Sequence, residues 1–106
     1  MANYWCVFRL AADRAYRSRY EALLNALFAL RGKDGASWTE ASYYCAFQSP
    51  ATLDEVAARL GQVIDPQRDL VVVGVVGAEI VSYRGALQHP DAFAALFPNA
   101  REMDRR

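Results

Sequence analysis

The chain has 106 residues, 54% of them hydrophobic, which is enough for one buried core and too little for two domains. That composition excludes a disordered linker or tail protein. Twelve basic and twelve acidic residues cancel, so binding to nucleic acid through bulk positive charge is disfavoured and only a local patch is left for it.

Charge is distributed unevenly. As far as Trp38, the residues Arg9, Arg14, Arg17, Arg19, Arg31 and Lys33 outnumber Asp13, Glu21 and Asp34, so the first third is basic and the remainder acidic. The opening MANYWCVFRL has no basic leader ahead of a long apolar stretch, and no apolar run reaches membrane-spanning length. A soluble, cytoplasmic protein with no membrane contact is the expectation.

Residues 3–10 mix aromatic and β-branched types without a helical period, which predicts a strand. Tyr4, Cys6, Phe8 and Leu10 share one parity and Trp5, Val7 and Arg9 the other, so both faces are mainly apolar and the strand is central. Asp13 reads as an N-cap. From 14 to 30 the apolar positions Tyr16, Tyr20, Leu23, Leu24, Leu27 and Leu30 recur at three- and four-residue steps, with Arg17, Glu21 and Asn25 opposite and Gly32 as the stop. After a turn at Lys33-Asp34-Gly35, residues 36–40 and 42–48 read as two short strands, closed by Ser49-Pro50. Thr52 with Glu55 forms a capping-box pattern ahead of a second helix striped by Leu53, Val56, Ala57 and Leu60 and ended by Gly61.

Asp65-Pro66 turns the chain toward LVVVGVV at 70–76, bounded by Asp69 and Gly77. Such a run predicts a strand buried on both faces. Gly77-Ala78 turns, and 79–83 offers one more strand. Residues 90–97 suggest a helical turn before Pro98, and the charged end REMDRR reads as frayed.

The order is βαββαβ plus an extra β. Helices following alternate strands pack on one face of an antiparallel sheet when crossovers are right-handed, so the expected fold is α+β and ferredoxin-like with two helices on one face. One domain spans 1–106, with its core at 3–83 and a C-terminal extension at 84–106. Two helices cover only one side of a sheet that is apolar on both. A second copy is therefore expected over the other, through Trp5, Val73, Val75, Ile80 and Tyr83.

The first strand's ending, the aromatic segment WTEASYYCAF and the strand pair DLVVVGVVGAEIVSY resemble the SinR-like proteins, of the superfamily of the small CRISPR-associated adaptation nuclease and the VapD toxins. The resemblance spans residues 3–83. It implies a ferredoxin-like protomer in a homodimer whose sheets stack face to face, with the last strand extending a sheet edge across the interface. In those relatives an acidic residue at the end of the first strand is the proposed metal ligand. Here the corresponding pair is Phe8-Arg9, and a guanidinium repels Mg²⁺ or Mn²⁺. Asp13, four residues on, is the substitute for a catalytic role, weighed against its reading as a helix cap.

Arg9 could grip a phosphate or carboxylate through its planar fork, or pair with a carboxylate at the sheet edge. Arg14 and Arg17 could join it in an anion or nucleic-acid patch near the helix start, against the alternative of a solvated helix face. Trp5, Trp38, Tyr43 and Tyr44 could stack on bases; core or interface packing competes. Cys6 and Cys45 read as buried thiols on neighbouring strands, with a reactive pair as the alternative, and two cysteines with one histidine make no zinc site. His89 stands alone, and no Gly-rich phosphate loop is present. The expected function is a homodimeric binding or regulatory module without metal or cofactor. Its rivals are a Mg²⁺- or Mn²⁺-dependent nuclease acting on RNA or DNA, and a small-molecule-binding dimer.

Overall fold

The computed structural model describes residues 1–103. In chain order it runs β1 (Ala2–Arg9), α1 (Tyr16–Leu30), β2 (Ser37–Trp38), β3 (Tyr44–Ser49), α2 (Leu53–Gly61), β4 (Leu70–Val75), β5 (Val81–Gly85), α3 (Pro90–Leu96) and β6 (Arg101–Glu102). These make an α+β fold with one six-strand mixed sheet, ordered β2-β3-β1-β4-β5-β6, and three helices.

Strand pairing carries one parity across the whole sheet. Cys6 faces Cys45 and Val73, whereas Val7 faces Tyr44 and Val72. One side therefore gathers Tyr4, Cys6, Phe8, Cys45, Phe47, Val71 and Val73, all buried in a single cluster with Leu23, Ala26 and Leu27 of α1 and Val56, Ala57 and Leu60 of α2. Each large apolar side chain so buried contributes about 1.5–3 kcal/mol against exposure. Val73 is completely buried here and Val75 packs against the same cluster. Both were expected at an interface; their parity turns them toward the helices instead, inside the core of the single chain.

Local chemistry explains where the elements start. At α2, Thr52 Oγ1 accepts from the Glu55 N–H at 3.2 Å while the Glu55 carboxylate accepts from the Thr52 N–H at 3.1 Å, the reciprocal cap read from the sequence. At α1 the cap differs from expectation. The helix begins at Tyr16, and Ala15, not Asp13, holds the cap position. Asp13 lies two residues before that position, where its Oδ1 accepts the Ala15 N–H at 2.9 Å and its carboxylate also pairs with Arg19 and Arg68. The expected strand at 36–40 shrinks to the two residues of β2. Trp38 Nε1 donates to Glu40 Oε1 at 3.1 Å, which folds the chain out of the sheet.

The C-terminal third departs furthest from expectation. β5 begins at Val81 because residues 77–80 turn with Gly77 at φ 83° and leave Ile80 exposed. β5 pairs antiparallel with β4 of its own chain, and β6 then pairs with it in parallel. Hence the sheet is mixed, not antiparallel, with two further strands in place of one. Arg101 and Glu102 of the expected frayed end form β6, anchored by a Met103 N–H to Tyr83 carbonyl bond of 2.7 Å and an Arg101–Asp54 ion pair of 2.6 Å. The rest of that expectation, at 104–106, lies outside the described residues.

A third helix also changes the layers. Tyr83 shares its face with Val72 and Val7, away from α1 and α2, and its ring meets Phe93 of α3 edge-on at 5.0 Å. Thus α3 rests on the opposite face, against Tyr83 of β5. The middle of that face holds Trp5, Val7, Tyr44, Ala46 and Leu70, all half-buried. Gly74 serves it: a Cβ there would collide with Cε2 and Cζ2 of the Trp5 indole, which lies across the gap in the valine run. Gly74→Val should push the indole off the sheet and cost about 1–3 kcal/mol, read by urea unfolding together with a red shift in tryptophan emission.

Candidate functional site

Where β1 ends, five charged residues meet. Asp69, just ahead of β4, has no exposure, and its Oδ1 accepts the Ala11 N–H at 2.7 Å while Oδ2 accepts the Asp65 N–H at 2.8 Å. Arg19 of α1 places Nε 2.7 Å from Asp69 Oδ2, although that N–H is not directed at any acceptor. Its other nitrogens reach Asp13 Oδ1 at 3.1 Å and the Ala11 carbonyl at 3.1 Å. Arg68 closes the set, with Nη1 2.6 Å from Asp13 Oδ2. Two carboxylates are matched by two guanidiniums. The hydrogen bond from Arg19 holds the Asp13 carboxyl below its usual range, reinforced by the Ala15 N–H and by the charges of Arg19 and Arg68.

Arg9, the fifth, is not in that ledger. Its Nη2 donates to the Ala86 carbonyl at 2.8 Å and approaches the Arg68 carbonyl at 3.5 Å, and it makes no ion pair among the described residues. Two clefts of about 470 and 690 Å³ open on either side of it. Phe8, Arg9 and Tyr43 line both; Tyr44 and Leu70 belong to the first, and Tyr16, Leu10 and Asp13 to the second. A third cleft of about 290 Å³ lies at the other end of β1, between Asn3, Trp38, Gln48 and Val76.

The residues singled out in sequence divide accordingly. Arg9 and Asp13 come together at this end, whereas Arg14, just ahead of α1, and Arg17, in its first turn, are exposed and line neither cleft. Asp13 spends its carboxylate on Arg19 and Arg68. Trp5 and Tyr44 share the partly open face, Trp38 meets Tyr44 edge-on at 6.0 Å, and Tyr43 stands 62% exposed at the cleft mouth. Cys6 and Cys45 are register partners and both buried; the hydrogen bond to Cys45, together with burial, pushes the Cys6 thiol well up. His89 is exposed before α3. Among the described residues no three His, Cys, Asp or Glu side chains converge as metal ligands, and no helix is long and apolar enough to cross a membrane.

Sequence reasoning missed Asp69, Arg19 and Arg68. Asp69 was visible only as the boundary of the valine run, and no short-range spacing links it to Arg19, fifty residues away. No protein-family model, no curated protein and no solved structure matches the chain.

Asp69→Ala would leave Arg19 and two backbone N–H groups without their acceptor in a dry site. The expected loss is about 3–5 kcal/mol, measured by urea unfolding, with Asp69→Asn losing less because it keeps an acceptor oxygen. Acid should also destabilise the fold. Asp13 is held below 3.8 and Glu55, mainly by the Thr52 N–H, below 4.5, so their contribution is complete above those unfolded-state values and vanishes as pH falls through the lower folded ones. Unfolding curves taken across that range should flatten in the Asp13→Asn variant.

Proposed function

We propose that the chain is a ferredoxin-like protomer of a face-to-face homodimer and serves as a binding or regulatory module, of the kind implied by its resemblance to the SinR-like and VapD-like proteins. The order β2-β3-β1-β4 with α1 and α2 on one side supports the fold assignment. A single observation carries the rest: the side of the sheet away from α1 and α2 is apolar through Trp5, Val7, Tyr44, Ala46 and Leu70, all half-buried, while α3 meets Tyr83 of β5 toward the sheet's edge. An apolar sheet face left half-covered by its own chain is suited to a second copy of itself, which buries the same residues symmetrically. Trp5 and Tyr83 remain on that face as contact residues, with Ile80 at its rim.

Nuclease chemistry has less support. Arg9 occupies the end of β1, where a metal-binding carboxylate is needed, and Asp13 is claimed by two guanidiniums.

Static light scattering at micromolar concentration should give the mass of two chains. Val7→Asp and Tyr44→Asp, which place a charge in the contact, should give the mass of one with circular dichroism unchanged. A wild-type protein with the mass of a single chain overturns the dimer. Labelled RNA and DNA should survive incubation with Mg²⁺ or Mn²⁺; metal-dependent cleavage abolished in Asp13→Ala would install the nuclease reading instead.

A further inference from the structure

We propose that the paired clefts at the end of β1 form a binding site for a small planar anion, an aromatic ring bearing a carboxylate or phosphate, with Arg9 as the anchoring cation. Three observations converge on it.

The first is a charge balance. Asp13 and Asp69 are held by Arg19 and Arg68, and the Asp65 carboxylate accepts the Gln67 N–H. Arg9, the one arginine that lines the clefts, has no carboxylate within ion-pair distance among the described residues. A guanidinium cannot shed its proton when it lacks a partner, so an anion from solution is the natural complement.

The second is preorganisation. Only Nη2 of Arg9 is engaged, by the carbonyls of Ala86 and Arg68. Nε and Nη1 have no hydrogen bond to any described residue, and the bond to Ala86 limits how far the fork can swing. The Ala86 position is itself enforced. Its N–H donates to the Asp69 carbonyl at 2.8 Å, and Gly85 precedes it at φ 122°, where any Cβ would strike the Asp69 carbonyl oxygen. An arginine side chain fixed in this way loses less entropy on gripping an oxyanion than a free one.

The third is the shape and lining of the clefts. Phe8, Tyr16, Tyr43 and Tyr44 provide aromatic walls on either side of Arg9, and volumes of about 470 and 690 Å³ are of the size that holds a single-ring ligand. Asp13, the carboxylate that shares the second cleft, is held by Arg19 and Arg68, so aromatic walls beside the unpaired Arg9 favour a ligand with a flat apolar body and one acidic group.

Tyr44 and Leu70 of the first cleft belong to the face proposed for the second copy. The second cleft, with Tyr16 and Tyr43 beside Arg9, shares no residue with that face, so binding there and light scattering fail independently. The test is calorimetric titration of the full chain with benzoate and with phenyl phosphate, using benzyl alcohol as the neutral control. Saturable binding of at least one anion and none of benzyl alcohol is expected, and the tighter anion identifies the acidic group. Arg9→Gln should weaken binding by about tenfold or more, with Arg9→Lys in between because it keeps the charge and loses the fork. Tyr43→Ala, at an exposed wall whose removal spares the core, should weaken it as well. Absence of saturable binding for both anions, affinity equal to that for benzyl alcohol, or affinity undiminished in Arg9→Gln or in Tyr43→Ala overturns the proposal.

Discussion

A carboxylate sealed from water organises one end of the molecule. Asp69 takes N–H groups from Ala11 and Asp65 and lies against Arg19, so it ties the connection after β1, the connection before β4 and helix α1 to one point. Burying a charge is costly unless it is paired and hydrogen-bonded, and here each oxygen has a backbone donor and a guanidinium alongside. Its main chain extends the same control. The Asp69 carbonyl receives the Ala86 N–H, and the Ala86 carbonyl receives Arg9. Through two peptide groups, a structural anion in the core sets the position of a cation at the surface.

The two sides of the sheet are finished to different degrees. α1 and α2 bury a continuous cluster against β1, β3 and β4. On the reverse, α3 contributes no fully buried residue and meets the sheet through Phe93 and Tyr83. Trp5 compensates in part by lying flat over Gly74, where a valine like its neighbours would have left no room. The outcome is a surface already dense with aromatic rings and short of one layer. That condition is what the proposed self-association rests on.

Much of this was legible in the residues. Parity in 3–10 and the valine run correctly placed two central strands, and the Thr52–Glu55 pattern announced its helix to the residue. Errors came where tertiary partners outbid local preference. Asp13 has the chemistry of a cap but is drawn to Arg19 and Arg68; Val73 and Val75 look two-faced in a list, yet only pairing reveals which face each takes. The helical turn read at 90–97 is α3, whereas β6 escaped because a strand of two residues is too short to show a period. Arg9 stood out as an oddity on an apolar strand, but its carbonyl partner is seventy-seven residues away, beyond any spacing argument.

Both margins of the sheet end in strands of two residues, β2 on one flank and β6 on the other. Such stubs offer a neighbouring chain almost no ladder to extend, and Arg101 and Glu102 add charge to one of them. Sideways growth into ribbons or fibrils is thereby starved of a template at either border. The pairing proposed for the aromatic surface would therefore close on itself and not extend.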